Sequence, residues 1–143
     1  MGNTSSLFGR DPGAIEPLVQ GAVILRSFAA EADALACLND VLCAAPFRHM
    51  STPGGLTMSV AMTSCGEVGW VSDRKGYRYE RRDPQTGRCW PAMPELLVRL
   101  ASQAAARAGF AAFVPDSCLV NRYACGTRLS LHQDRNESRV PHA

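Results

Sequence analysis

A chain of 143 residues is long enough for one domain with its own buried core. A hydrophobic fraction of 46%, a charged fraction of 20% and a net charge of +2 fit a globular protein and exclude a disordered, highly charged tail. No apolar run approaches the roughly 20 residues of a membrane span, so no membrane partner is expected.

In chain order, residues 1–20 are rich in Gly, Pro and polar groups and are expected to form a flexible N-terminal arm. Ala22-Val23-Ile24-Leu25 reads as a short buried strand. From Ala30 to Ala44 the apolar residues Ala34, Leu35, Leu38, Val41 and Leu42 recur at helical spacing, and Pro46 follows the end. Thr52-Pro53-Gly54-Gly55 has turn chemistry, and Leu56 to Thr63 alternates large and small residues as a strand does. Trp70-Val71-Ser72 and Tyr77-Arg78-Tyr79 are short strand candidates, followed by a turn at Asp83-Pro84-Gln85-Thr86-Gly87. A second helix is expected from Pro94, as its first residue, to about Ala108, stopped by Gly109. Strands from Cys118 to Ala124 and from Arg128 to His132 then bracket a turn at Cys125-Gly126-Thr127.

The basic residues are fourteen Arg and the single Lys75, and the segment from Trp70 to Trp90 holds six of the fifteen against three acids. Arg suits bidentate phosphate contacts, although genome composition produces the same bias. The six cysteines contain no C-x-x-C and no zinc-type spacing, which fits free thiols in a reducing, cytoplasmic setting.

Chemistry concentrates near the end of the sequence. In an extended Leu129-Ser130-Leu131-His132-Gln133-Asp134, side chains alternate between faces, so His132 and Asp134 share one and could grip a single ion. An imidazole and a carboxylate are two thirds of the facial triad of non-heme Fe(II) oxygenases. A histidine satisfied by a neighbouring carboxylate is the structural alternative. On the preceding strand, Asn121 and Tyr123 also share a face, where a dicarboxylate cofactor or a pair of core hydrogen bonds would satisfy both.

Asn121-Arg122-Tyr123 followed by Leu131-His132-Gln133-Asp134 resembles the AlkB family of Fe(II)- and 2-oxoglutarate-dependent nucleic-acid demethylases. The likeness runs through Gly21-Ala22-Val23-Ile24-Leu25-Arg26, Thr52-Pro53-Gly54-Gly55, Thr57 to Thr63, Gly69-Trp70, Asp83 to Thr86 and Trp90-Pro91-Ala92-Met93-Pro94, covering nearly all of Gly21 to Glu137. The resemblance implies an α+β fold in which a nucleotide-recognition lid, about 50–93, and helices pack on the first strands of an incomplete double-stranded β-helix (jelly roll), about 117–134. Residues 21–143 would then be the N-terminal portion of a single dioxygenase domain. It implies a DNA repair enzyme that oxidatively demethylates N-alkylated bases and releases formaldehyde. The expected partner is alkylated single-stranded DNA, with duplex DNA and RNA left open, and no protein partner is inferred. By the same resemblance His132 and Asp134 would ligate Fe(II), and Asn121, Arg122 and Tyr123 would bind 2-oxoglutarate. Trp70, Tyr77, Arg78, Tyr79 and Asn136 would contact substrate.

Two departures qualify the match. Asn136 stands where the family carries an acid that helps to read the methylated base, so altered base preference is expected. The family pattern also continues for several dozen residues, with a second metal His and a cosubstrate Arg. A C-terminally truncated and inactive chain is therefore expected, the alternatives being a noncatalytic nucleic-acid-binding remnant or a nonfunctional fragment.

Overall fold

The computed structural model describes residues 13–130 and 132. They form helices and antiparallel strands in the order β1 (Ile15–Val19), β2 (Ala22–Leu25), α1 (Glu31–Ala44), β3 (Arg48–Ser51), β4 (Thr57–Gly66), β5 (Gly69–Asp73), β6 (Gly76–Glu80), α2 (Glu95–Arg107) and β7 (Ser117–Arg122).

Residues 15–19, which composition assigns to a loose arm, instead form β1, paired antiparallel with β2. Their mostly exposed side chains explain why the sequence looked like a loop, since the strand is held by its ladder and by an ion pair between Arg26 Nη2 and Glu16 Oε2 at 2.5 Å. α1 follows the expected periodicity, with Glu31 and Asp33 in its first turn complementing the helix dipole. Pro94 is the N-cap of α2 rather than its first helical residue, because its ψ of 136° is extended; helical geometry begins at Glu95.

The central sheet has the order β3-β4-β7, so β4 is bonded on both sides. Thr52 and Gly55 build the turn between β3 and β4: Gly55 N–H donates to Thr52 O at 2.8 Å, and Thr52 N–H donates to Leu56 O at 2.8 Å. Register then sorts the side chains. Met62 lies opposite Asn121 and Ser64 opposite Leu119 on one face, while Thr63 lies opposite Val120 and Cys65 opposite Cys118 on the other. That second face meets α1 and the chain after it: the Thr63 hydroxyl donates to Ala45 O at 2.7 Å, and the Arg122 guanidinium sits 4.7 Å from the Phe47 ring centre.

The β5–β6 hairpin packs against the first face. Met50, Val60, Met62 and Trp70 are buried together, with Met58, Tyr77 and Tyr79 partly buried around them. On the far side of the hairpin, Val71 and Trp90 join Ala45 in a second apolar cluster. Gly69 makes this possible, since a Cβ there would lie inside the Trp90 indole. Trp90 is anchored in turn by donating from Nε1 to Glu80 O at 3.0 Å.

The strand expected from Arg128 to His132 is not formed among the described residues. After Arg122 the chain leaves the ladder through a turn, in which Gly126 has φ +81° and Thr127 N–H donates to Ala124 O at 3.0 Å. Residues 128–130 and 132 join no ladder among the described residues, although the outer edge of β7 is open. Tyr123 and Ala124, read as the end of the previous strand, fall outside β7, whose pairing with β4 stops at Ala61 opposite Arg122.

Candidate active site

A cavity of about 450 Å³ opens between the central sheet, the β5–β6 hairpin and the segment after β7. Met58, Val60 and Met62 enter from β4, Leu119 and Asn121 from β7, Trp70 from β5, and Tyr77 and Tyr79 from β6. Arg128, Leu129, Ser130 and His132 close one side. Such a chamber, mostly apolar with a few convergent polar groups, is what small ligand sites look like.

The aromatic wall follows from strand alternation. Tyr77 and Tyr79 are two apart on β6 and share a face, and Tyr79 lies opposite Trp70 across the hairpin. Trp70 and Tyr77 stack with ring centroids 5.8 Å apart and planes 17° from parallel. Trp70 is 8% exposed, and its backbone N–H donates to Ser64 Oγ at 3.2 Å.

Arg78, between the two tyrosines, faces the other way. Its Nη1 and Nη2 donate to Asp73 Oδ1 and Oδ2, each at 2.8 Å, and its Nε donates to Glu80. The structure therefore does not bring Arg78 to the cavity. The Arg78 guanidinium holds the Asp73 carboxyl low, at about 2, helped by the Lys75 N–H. Below the hairpin, Arg48 Nη1 pairs with Asp83 Oδ1 at 2.5 Å in a nearly buried bridge. Burial works to raise the Asp83 carboxyl, yet Arg48 and the hydrogen bonds from Gln85 and Thr86 bring it below its ordinary value.

Of the three residues assigned to cosubstrate, only Asn121 lines the cavity. Its Oδ1 is buried and has no hydrogen-bond partner among the described residues. A buried amide in that condition points to a missing ligand, and rotation about its terminal bond presents two N–H donors to a carboxylate. Arg122 is turned to Phe47, and Tyr123 is 52% exposed.

His132 reaches the cavity without the expected strand. Its Nδ1 lies 2.7 Å from Ser130 O; a carbonyl only accepts, so Nδ1 donates to it and the ring is held in place. Metal-binding histidines are commonly oriented in this way, by a carbonyl on the ring nitrogen away from the metal. His132 and Asn121, both lining the cavity, thus fit an iron ligand and a contact to an anionic cosubstrate. Asp134 and Asn136 lie outside the described residues, among which no group of three His, Cys, Asp or Glu side chains is assembled.

Sequence reasoning missed Arg128 as a cavity residue, and with it Met58 and Leu119 as wall residues. Alternation along Leu56 to Thr63 held the signal for Met58, and the face shared with Asn121 held it for Leu119. Nothing local marks Arg128, which arrives by an irregular path.

A model of the 2OG-Fe(II) oxygenase superfamily matches residues 21–143. The chain is 56% identical over 124 residues to the alpha-ketoglutarate-dependent dioxygenase AlkB of Escherichia coli, an overlap of 85% of this chain and 57% of that protein. It is likewise 56% identical over 125 residues to the Salmonella typhimurium protein of the same name, with the same coverage, 85% and 57%. An AlkB homolog of Caulobacter vibrioides is 51% identical over 94 residues, 66% of this chain and 41% of that protein. The chain thus spans between 41% and 57% of the length of the curated relatives it matches. A cavity with an oriented histidine and an unmet amide, set in a sequence this similar along most of its length, leads to one assignment: the chain belongs to the 2OG-Fe(II) oxygenase superfamily and, within it, to the AlkB family, whose cofactors are Fe(II) and 2-oxoglutarate.

Proposed function

We propose that this chain serves the oxidative demethylation of N-alkylated bases in DNA, with single-stranded DNA the preferred partner and RNA a second possible substrate class. The observation that carries the reading is the meeting of an aromatic wall (Trp70, Tyr77, Tyr79) with Asn121 and His132 in one cavity. His132 and Asp134 would hold Fe(II), and Asn121 would hold 2-oxoglutarate. Arg122, the last residue of β7, and Tyr123, the first after it, are proposed to assist only if the end of β7 rearranges toward the cavity. When bound, the iron and cosubstrate supply with oxygen the oxidation of a methyl C–H bond, from which formaldehyde leaves.

The protein's own part is placement. A base inside a duplex cannot present its edge to a buried site, so it must be extruded and held. Trp70 would stack on the extruded base opposite His132, and Met58, Val60 and Leu119 would keep bulk water from it. The hairpin and its surroundings, about 50–93, would act as the lid, with exposed Arg74 and Lys75 near the phosphates; β7 would be the first strand of a jelly-roll core, about 117–134. Asn136, in place of an acid, brings no negative charge to a cationic lesion and would weaken that preference. All six cysteines are free thiols, which suits work in the cytoplasm.

The aromatic wall is built without any metal ligand, and this favours one second reading: a chain that binds nucleic acid without turning it over. Incubation of the 143-residue chain with methylated single-stranded DNA separates the two. Formaldehyde release that needs both Fe(II) and 2-oxoglutarate supports the first, and selective binding without release supports the second. Neither binding nor release would overturn both.

A further inference from the structure

On the face of the central sheet opposite the cavity, Cys65 of β4 lies directly across from Cys118 of β7. The hydrogen-bond pattern fixes their geometry. Gly66 N–H points away from β7 and donates to Pro91 O at 2.9 Å, while Glu67 N–H points across and donates to Asp116 O at 2.8 Å. Ladder bonds alternate in antiparallel pairs, so Cys65 and Cys118 form a hydrogen-bonded pair, with Cα atoms about 5.5 Å apart. That Cα separation falls in the disulfide range, and bond formation must draw the Cβ atoms, about 5.5 Å apart in such a pair, in to about 4 Å. Cys65 is fully buried and Cys118 is half-buried, so a small oxidant reaches Cys118 first.

We propose that Cys65 and Cys118 are an oxidative modification site, at which a peroxide converts the two thiols to a disulfide that staples β4 to β7. The Cys118 thiolate attacks one peroxide oxygen and breaks the O–O bond, giving a sulfenic acid and a hydroxide that takes up the thiol's proton as water. The Cys65 sulfur then attacks the Cys118 sulfur, the S–O bond breaks, and a second water leaves with the Cys65 proton. Two thiols lose two electrons and the peroxide is reduced to two waters.

The surroundings favour this pair over others. The two thiols face each other across the ladder, and their mutual interaction pulls the Cys118 thiol below its ordinary range and pushes Cys65 up. Cys37, nearby on α1, has its S–H committed to Ala34 O at 3.1 Å, which leaves Cys65 as the resolving thiol. Cys43, Cys89 and Cys125 are exposed and serve as internal controls. The staple would lie behind Met62 and Asn121, which pair three residues along the same two strands and line the cavity.

The inference stands whether or not the proposed substrate is right. It is tested by treating the 143-residue chain with hydrogen peroxide, blocking free thiols and mapping peptides by mass spectrometry. The expected result is a Cys65–Cys118 linked peptide that dithiothreitol reverses, with Cys118 lost at least about tenfold faster than Cys43, Cys89 or Cys125. In Cys65→Ser, Cys118 should stop at the sulfenic acid and be trapped by dimedone. The proposal is overturned if the exposed thiols are consumed while Cys65 and Cys118 stay free, or if Cys118 links to Cys37. The wild-type map decides even if the variant fails to fold.

Discussion

Trp70 and Tyr77 stack at 5.8 Å with planes 17° from parallel, although they are not directly opposed across the hairpin. Trp70 pairs with Tyr79 and Ser72 with Tyr77, so the stack runs along the diagonal. The hairpin's own rings therefore form one continuous aromatic surface at the cavity. Trp70→Phe keeps an aromatic there and should fold. Its affinity for a methylated single-stranded oligonucleotide should fall about threefold, less than the roughly 1–3 kcal/mol per base that complete loss of a stacking ring costs. Fluorescence anisotropy measures this, and unchanged affinity would remove Trp70 from the base site.

Asn121→Ala removes the buried amide whose oxygen lacks a partner among the described residues. Because the proposed contact is to a charged carboxylate, 2-oxoglutarate affinity should fall by about 1.5–3 kcal/mol, more than tenfold. Calorimetric titration with 2-oxoglutarate under anaerobic Fe(II) reads the change directly. Stability should hardly move, since an unpaired buried group is being taken away.

Gly69→Ala should destabilise the chain, because the new methyl would occupy the space of the Trp90 indole. Overpacking costs about 1–3 kcal/mol, and here the indole cannot yield without losing its bond to Glu80 O. A lower urea midpoint with an unchanged slope is the expected outcome.

The hairpin should respond to acid in a defined window. The folded Asp73 carboxyl lies at about 2, below its ordinary 3.8, so its contribution is fully present above the ordinary value and is lost as pH falls through the folded one. Its side chain is 39% exposed, which screens the pair and keeps the effect small. Asp73→Asn should flatten the stability profile between about pH 4 and pH 2 and leave neutral stability within about 1 kcal/mol.

Legibility in the sequence followed local pattern. α1 was visible because its apolar spacing and terminal signals agree, and the β5–β6 hairpin because Tyr77 and Tyr79 alternate around a charged residue. β1 was hidden because its side chains are mostly exposed, and β3 because four residues are too few to show a period. At the site, alternation along β7 pointed to Asn121, yet it also carried Tyr123 along, and only the turn at Gly126 ends that face. Arg78 looked available because a sequence does not reveal that Asp73, five residues earlier, folds back to clamp it. His132 lines the cavity from outside any strand of the described residues, while Asp134, expected on the same face, lies outside them.

The most direct measurement uses the two tryptophans, which lie in separate clusters: Trp70 at the cavity and Trp90 behind the hairpin. Mn(II) accepts the same oxygen and imidazole ligands as Fe(II) and broadens nearby NMR signals. In the 15N-labelled chain, adding Mn(II) with 2-oxoglutarate should broaden the Trp70 indole and Asn121 amide signals well before the Trp90 indole. Equal broadening of both indoles, or none at either, would contradict a metal site at His132.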